Sequence, residues 1–318
     1  MVVVRLLAWL CALPFAVWAA VHLTGVDGRP PLAQLIAFTP YVAALSPIPV
    51  LLALTTRRWF AAGVAAAASL TLVIAVLPRA IPDGDATAGA TGPRLRVLST
   101  NLLAGRADAT GVVDLVRAHD IDLLAVQELT ADGLARLDAA GLGTLLPHRV
   151  VDPAPGVVGS GVFARYPLRD NGVRVNPRGF RQSAAMLYVP GADRVAVQSV
   201  HPSPPSPMRV TPQWRQGLIA QPRPNEDGIL HILLGDFNAT LDHAVLRDLL
   251  AKGYRDAAEV TGNGLIGTWG PYDGDPIPPV VIDHVLADRR VGVREFSAHA
   301  VPGSDHRAII AELVLPAA

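Results

Sequence analysis

The chain has one cysteine, Cys11, and one lysine, Lys252. The first excludes a disulfide framework. The second, with arginines scattered rather than clustered, leaves no basic run of the kind that carries non-specific nucleic-acid affinity. Charge is missing altogether from three stretches, Leu6 to Leu23, Leu32 to Leu54 and Trp59 to Leu77, which are 18, 23 and 19 residues long and contain no Asp, Glu, Lys or Arg. Each is close to the ~20 residues that cross a bilayer as a helix. Apart from Cys11 and Tyr41, His22 is their one ionisable side chain, which disfavours a transport pathway.

Arg5 followed by an apolar run ending in Ala19 and Ala20 could also start a cleaved signal peptide, but two further spans follow at once, which favours a retained helix. Pro14, Pro40, Pro47 and Pro49 would kink these helices, a feature that lipid-embedded bundles tolerate. In a three-span arrangement Arg5, Arg57 and Arg58 fall on one side and Arg29 and Arg79 on the other. Because positive charge prefers the cytoplasm, the expected location is the cell membrane, multi-pass, with the N-terminus inside and the remainder outside. Residues 1–80 are thus expected as a membrane region and 81–93, rich in Gly, Ala, Thr and Asp, as a flexible linker.

Residues 94–318 read as one domain with ample length for a core. Of 27 basic and 27 acidic residues in the chain, five arginines and three aspartates precede residue 91, leaving a near-balanced 22 and 24. Strands are expected at Leu95 to Thr100, Leu123 to Val126, Gly161 to Ala164, Ala184 to Val189, Val195 to Val200, Val280 to Leu286, Val291 to Ala298 and Ala308 to Val314. The run Ile229 to Leu234 makes another buried strand. Helices are expected at Thr110 to Ala118, capped by Asp108 or Thr110, and at about Pro212 to Ala220 and Asp242 to Leu250. Strands outnumber helices and often follow one another directly, which favours paired mixed sheets flanked by helices.

Polar residues recur at the ends of these strands. Asn101 ends the first, Gln127 and Glu128 the second, and His201 the one from Val195. Asp236 and Asn238 follow Ile229 to Leu234, Asp283 and His284 lie in the strand from Val280, and Ser304, Asp305 and His306 precede the last. Asp236 and Asn238, two apart on extended backbone, face the same side. His284, adjacent to Asp283, should face the other way and serve the core.

The ordered series Asn101, Gln127-Glu128, His201, Gly235-Asp236-Phe237-Asn238, Asp283 and Ser304-Asp305-His306 resembles the endonuclease/exonuclease/phosphatase superfamily, whose members include deoxyribonucleases, sphingomyelinases and inositol-polyphosphate phosphatases. The resemblance implies a four-layer α/β/β/α sandwich, here preceded by transmembrane helices. It also implies hydrolysis of phosphate esters with a divalent metal, Mg2+ with Mn2+ as a substitute. A hard cation held by few carboxylates polarises phosphoryl oxygens and keeps positions open. On this resemblance Glu128 and Asn101 are metal ligands and Asp305 serves a second or alternate position. His306, its tautomer set by Asp283, acts as base or phosphate clamp, and His201 contacts phosphate or protonates the leaving group. Alternatively Asp236 activates water while Asn238 orients phosphate or nucleophile.

Arg178, Arg181 and Trp269 are candidate substrate contacts. No carboxylate near Ser160-Gly161-Val162 stands ready to support His201, a departure from the deoxyribonuclease-like pattern. Nucleic acid ranks first among substrates, with phospholipid or sphingomyelin headgroups close behind because the bilayer would be a partner of the domain. A catalytically silent module that binds phosphorylated ligands is the reading from another class. No protein partner can be inferred.

Overall fold

The computed structural model describes residues 2–87, 89–224, 228–270 and 277–317. The N-terminal part is helical: α1 (Val2–Thr24), α2 (Leu32–Leu35), α3 (Thr39–Leu45), α4 (Pro47–Thr55) and α5 (Trp59–Val76). Two helices are long and apolar enough on their own to cross a membrane, Val3–Thr24 and Trp59–Ala80. The single kinked span expected at Leu32 to Leu54 is corrected to a chain of short helical pieces. Leu32–Leu45 and Pro47–Thr55 meet at 43° and count as a third span only if taken together. The break falls where Ser46 precedes Pro47 and Pro49, and proline can neither donate its amide nor clear the preceding turn.

The pieces nevertheless run along the other two helices. Ala8, Ala53, Ala61 and Ala62 pack together at one end of the bundle, and Ala19, Ala43, Ala68 and Leu72 at the other. Small residues allow this close approach.

The remainder builds two sheets. In chain order the elements are β1 (Arg94–Asn101), α6 (Ala109–Ala118), β2 (Leu123–Gln127), α7 (Ala131–Ala139), α8 (Leu142–Leu145), β3 (His148–Asp152) and β4 (Ser160–Ala164). Then come β5 (Leu168–Val175), β6 (Arg181–Leu187), β7 (Val195–Val200), α9 (Thr211–Ile219), β8 (Leu230–Asp236) and α10 (Ala244–Leu250). The last are β9 (Tyr254–Asp256), α11 (Ala257–Val260), β10 (Asp283–Asp288), β11 (Gly292–Ala300) and β12 (Arg307–Val314). One sheet has the order β11-β12-β1-β2-β4-β3 and the other β5-β6-β7-β8-β10-β9. Each is mixed: β1 and β2 are parallel, as are β7 and β8, and the other pairings are antiparallel.

Alternation along the strands sorts side chains to two faces. Leu95, Val97, Leu123, Val197, Ile232 and Leu234 fill the space between the sheets. Leu98, Leu124 and Val126 face outward onto Val112, Val113 and Val116 of α6. On the far side Leu233 and Leu286 meet Trp214 of α9 and Leu246 and Leu249 of α10. The result is the expected α/β/β/α sandwich. Gln127 ties its halves together, donating to Ser99 in one sheet and to Ser199 in the other.

Where a flexible linker is expected, the described residues lie against the domain. Asp83 N donates to Val260 O, Val293 N donates to Ala86 O and Gly92 N donates to Leu315 O. The helical region is docked as well. The Arg79 guanidinium donates both Nη atoms to Asp242, at 2.9 and 2.8 Å, and His22 Nε2 is 3.2 Å from the same carboxylate. Ala244 N donates to Asp27, and Ala33 packs into the cluster beneath Trp214.

Candidate active site

Both sheets send polar residues to one edge because of strand direction. β10 is antiparallel to β8, so its first residue, Asp283, sits opposite the last of β8, Asp236. β12 is antiparallel to β1, which brings the turn before Arg307 beside Asn101. The Ser304 hydroxyl fixes that turn, donating to Asn101 O and accepting from His306 N. β2 and β7, parallel to the next strand in their own sheets, deliver Glu128 and His201 to the same edge.

The centre is Asp236 Oδ2. It lies 3.2 Å from Asn101 Nδ2, 3.5 Å from His201 Nε2 and 3.7 Å from His306 Nε2. Asn101 Nδ2 also donates to Glu128 Oε1 at 3.1 Å, while its oxygen accepts from Leu103 N. Glu128 Oε2 accepts from Ala104 N. His306 Nδ1 donates to Asp283 at 2.9 Å, which leaves Nε2 toward Asp236. Asp236 Oδ1 accepts from Asn238 N, and Asn238 Nδ2 donates to Pro202 O. Glu128 and Asn238 adopt φ of +58° and +50°. Non-glycine residues pay a local strain for that conformation, and such strain concentrates at functional sites.

The electrostatics follow from burial among carboxylates. Burial raises the Glu128 carboxyl above the usual range despite its hydrogen bonds to Asn101 and Ala104. Asp236 is also pushed up, by burial and by its neighbours Asp283 and Glu128. Burial alone would lower His306, but Asp283, Asp236 and Asp305 together raise it to about 10. His201, buried and facing the charge of His306, is pushed down to about 3 and is neutral at pH 7. Its Nδ1 is buried without a hydrogen-bond partner, in keeping with the missing carboxylate near Ser160, and Phe180 packs edge-on against its ring.

This donor set suits a hard divalent cation. Several carboxylate oxygens crowd a buried region around the Asn101 amide, and among the described residues Asp305 Oδ1 is buried with no hydrogen-bond partner. A group of Asp236, Asp283 and His306 ligand atoms lies within 4.8 Å of one another, close enough to hold an ion.

The structure gathers Asn101, Glu128, His201, Asp236, Asn238, Asp283, Asp305 and His306 at this edge. Trp269 is there too, donating Nε1 to Asp305 Oδ2, although residues 271–274 of its Gly-rich loop lie outside the described residues. Arg178 lines the adjoining cleft. Arg181, expected at the substrate, opens β6 and donates its guanidinium to Asp152 at 2.7 Å; it does not itself line the cleft, although its backbone N donates to Val158, which does. His284 points into the core as expected, donating to Asp256 and to Ala239 O.

Supporting residues that the sequence did not announce are Thr268, whose hydroxyl accepts from Ile282 N and Asp283 N, and Trp214, which donates to Asn238 O. Gln182 accepts from His201 N. All act through backbone groups distant in the chain, so no local motif marks them.

Residues 98–306 match the model of the endonuclease/exonuclease/phosphatase family. The chain belongs to that family. It is therefore a hydrolase of phosphate ester bonds that depends on a divalent metal. No curated protein matches it in sequence. Among solved structures it is similar to an endonuclease/exonuclease/phosphatase from Beutenbergia cavernae DSM 12333, with 20% identity, a TM-score of 0.54 and coverage of 70% of this chain and 72% of that one. Truncated Caenorhabditis elegans TDP2 is similar at 19% identity and a TM-score of 0.53, covering 70% and 97%. D. rerio TDP2 complexed with single strand DNA product also superimposes, at 17% identity and a TM-score of 0.53, covering 69% and 98%. At these identities the likeness concerns the fold.

Proposed function

We propose that this family member is a multi-pass membrane phosphodiesterase that uses Mg2+, or Mn2+ in its place, with its catalytic domain on the extracytoplasmic face. The observation that carries the reading is the convergence on Asp236 Oδ2 of Asn101, His201 and His306, with Glu128 beside them. Glu128, with Asn101 holding its carboxylate, and Asp305 would hold the metal. When bound, the metal neutralises phosphoryl charge and stabilises the leaving alkoxide.

Asp236 is placed to accept the proton of the attacking water, whose oxygen bonds to phosphorus as the P–O ester bond breaks. His306, fixed by Asp283, directs Nε2 at the same position and clamps the phosphate. His201 offers Nε2 as a further contact to the phosphate or the departing oxygen. Asn238 keeps Asp236 oriented through its backbone N–H, and Arg178 and Trp269 border the substrate.

The membrane part of the reading is supported by two qualifying helices and by the bent third piece packed along both. The arginine distribution favours the N-terminus inside.

Nucleic acid remains the first substrate on family breadth, and a D. rerio TDP2 structure holds a single strand DNA product. A specific observation favours a lipid phosphodiester instead. Among the described residues, Arg178 is the one Lys or Arg lining the cleft, where a nucleic-acid track needs several phosphate contacts.

The test uses the full chain in detergent, stripped of metal and assayed on bis-p-nitrophenyl phosphate with and without Mg2+ or Mn2+. Turnover should require metal and disappear in Glu128→Gln and in His306→Ala. Unchanged turnover in both folded variants would refute the assignment, and a wild type inert with either metal would return the silent binding module.

A further inference from the structure

The catalytic groups form the floor of a cleft of about 740 Å³, within the size range that buries most of a small organic ligand. Its walls are unlike its floor. They include Ala33, Ala37 and Phe38 from the helical region and Val157, Pro204 and Pro205 from the domain. Ala33, Ala37 and Phe38 belong to the second apolar segment rather than to the phosphoesterase domain. They lie between the end of α1 and the start of α3, and the chain contacts place them at the domain end of the helical bundle, where His22 and Arg79 both reach Asp242. That is the level at which the helices would emerge from a bilayer.

The wall is fixed rather than adventitious. Gln34 donates to Pro205 O and to Thr211, and His243 Nε2 donates to Ala33 O at 2.7 Å. The mouth of the cleft is apolar too. Val157 and Ile277 line it and are each 42% exposed, and Leu35 beside the wall is 44% exposed. Exposed apolar groups clustered around a binding cleft mark a surface that meets something apolar.

We propose that residues 33–38 form the binding wall for the apolar chain of a membrane-resident phosphodiester, which slides sideways from the bilayer surface until its phosphate meets Glu128, Asp236 and His306. This rests on the phosphodiesterase reading and its lipid alternative, and adds the residues that receive the apolar chain and the side from which it enters. The second apolar segment then has two tasks, anchoring the domain and selecting its substrate. A water-soluble diester would use the floor and gain nothing from the wall.

The test uses the full chain in lipid nanodiscs with Mn2+. Three substrates are compared: a long-chain diacyl glycerophosphodiester, its deacylated counterpart with the same headgroup, and single-stranded DNA, with bis-p-nitrophenyl phosphate as a control for the site itself. The expected result is a kcat/KM for the acylated diester at least about tenfold above that of the deacylated one, since each buried methylene adds to binding. This ratio should collapse in Ala37→Glu and, independently, in Val157→Glu, whose residue lines the same cleft from the domain.

Equal turnover of the acylated and deacylated diesters would overturn the proposal, as would a ratio unchanged in both variants or DNA as the best substrate. Failure to turn over the control diester would instead remove the phosphodiesterase reading on which it rests.

Discussion

Asp283 accepts the ring N–H of His306 at 2.9 Å and in turn is held by Thr268 through its backbone. Asp283→Asn keeps the shape but offers the ring an amide, which permits the wrong tautomer. The expected outcome is a kcat lower by about a hundredfold to ten-thousandfold with little change in KM. Steady-state kinetics on bis-p-nitrophenyl phosphate check it, and an equal loss through KM alone would count against the positioning role. At this scale the sequence marked the polar groups that the fold gathers at one edge, because Asn101, Glu128 and Asp236 each stand where an apolar run ends and His306 just before one begins. It was silent about what holds them. Thr268 and Trp214 serve the site through backbone hydrogen bonds that only the fold creates, and Arg181 is diverted by Asp152, a partner from a strand the sequence did not reveal.

Among the elements, β8 illustrates how tightly the site is built into the sheet. Gly235 precedes Asp236 with φ of +151°, and a Cβ there would lie 2.1 Å from Val200 O in the adjacent strand β7. Neither backbone can give way without breaking the parallel pairing of β7 and β8. Gly235→Ala should therefore lower stability by ~2 kcal/mol or more, seen as a reduced melting temperature of the purified protein, and should lower activity with it. An unchanged melting temperature would contradict this account of the strand end.

The strands that pack on both faces, such as β2, β7 and β8, were legible as apolar runs. β5 was not, since its residues are largely exposed and its place is set by backbone pairing with β6. α7 was missed because it is short, nearly neutral in hydropathy and dependent on the Thr130 cap. The bent helix pair followed from prolines whose kinks were expected, but not that they would divide the segment and turn its first part into a cleft wall.

In the whole molecule, one buried carboxylate at the junction between helices and sandwich is shared by two of the helical segments. Arg79 and His22 hold Asp242 below the usual carboxylate range although burial works in the opposite direction. A folded-state value below the unfolded one means that the stabilisation is complete above about pH 4 and is lost as pH falls through the folded value. Arg79→Ala leaves the buried Asp242 with His22 as its one remaining cationic partner and should cost up to about 3–5 kcal/mol at neutral pH. Thermal melts between pH 3 and 7 check both statements: the wild type should lose its advantage over Arg79→Ala toward the acid end, and parallel curves would contradict them. The same junction explains why the catalytic part is best studied with its helices attached. Removing them would uncover the site of Ala33 beneath Trp214 and strip Asp242 of both partners.

The divalent-metal site proposed here is assembled around Glu128 by the strand ends of two sheets. Calorimetric titration of the metal-stripped full chain with Mn2+ tests it most directly, comparing wild type with Glu128→Gln in the same detergent. Saturable binding by the wild type is expected, with an affinity at least ~100-fold weaker in the variant and the fold intact. Equal affinity in the two proteins, or no binding by the wild type, would contradict it.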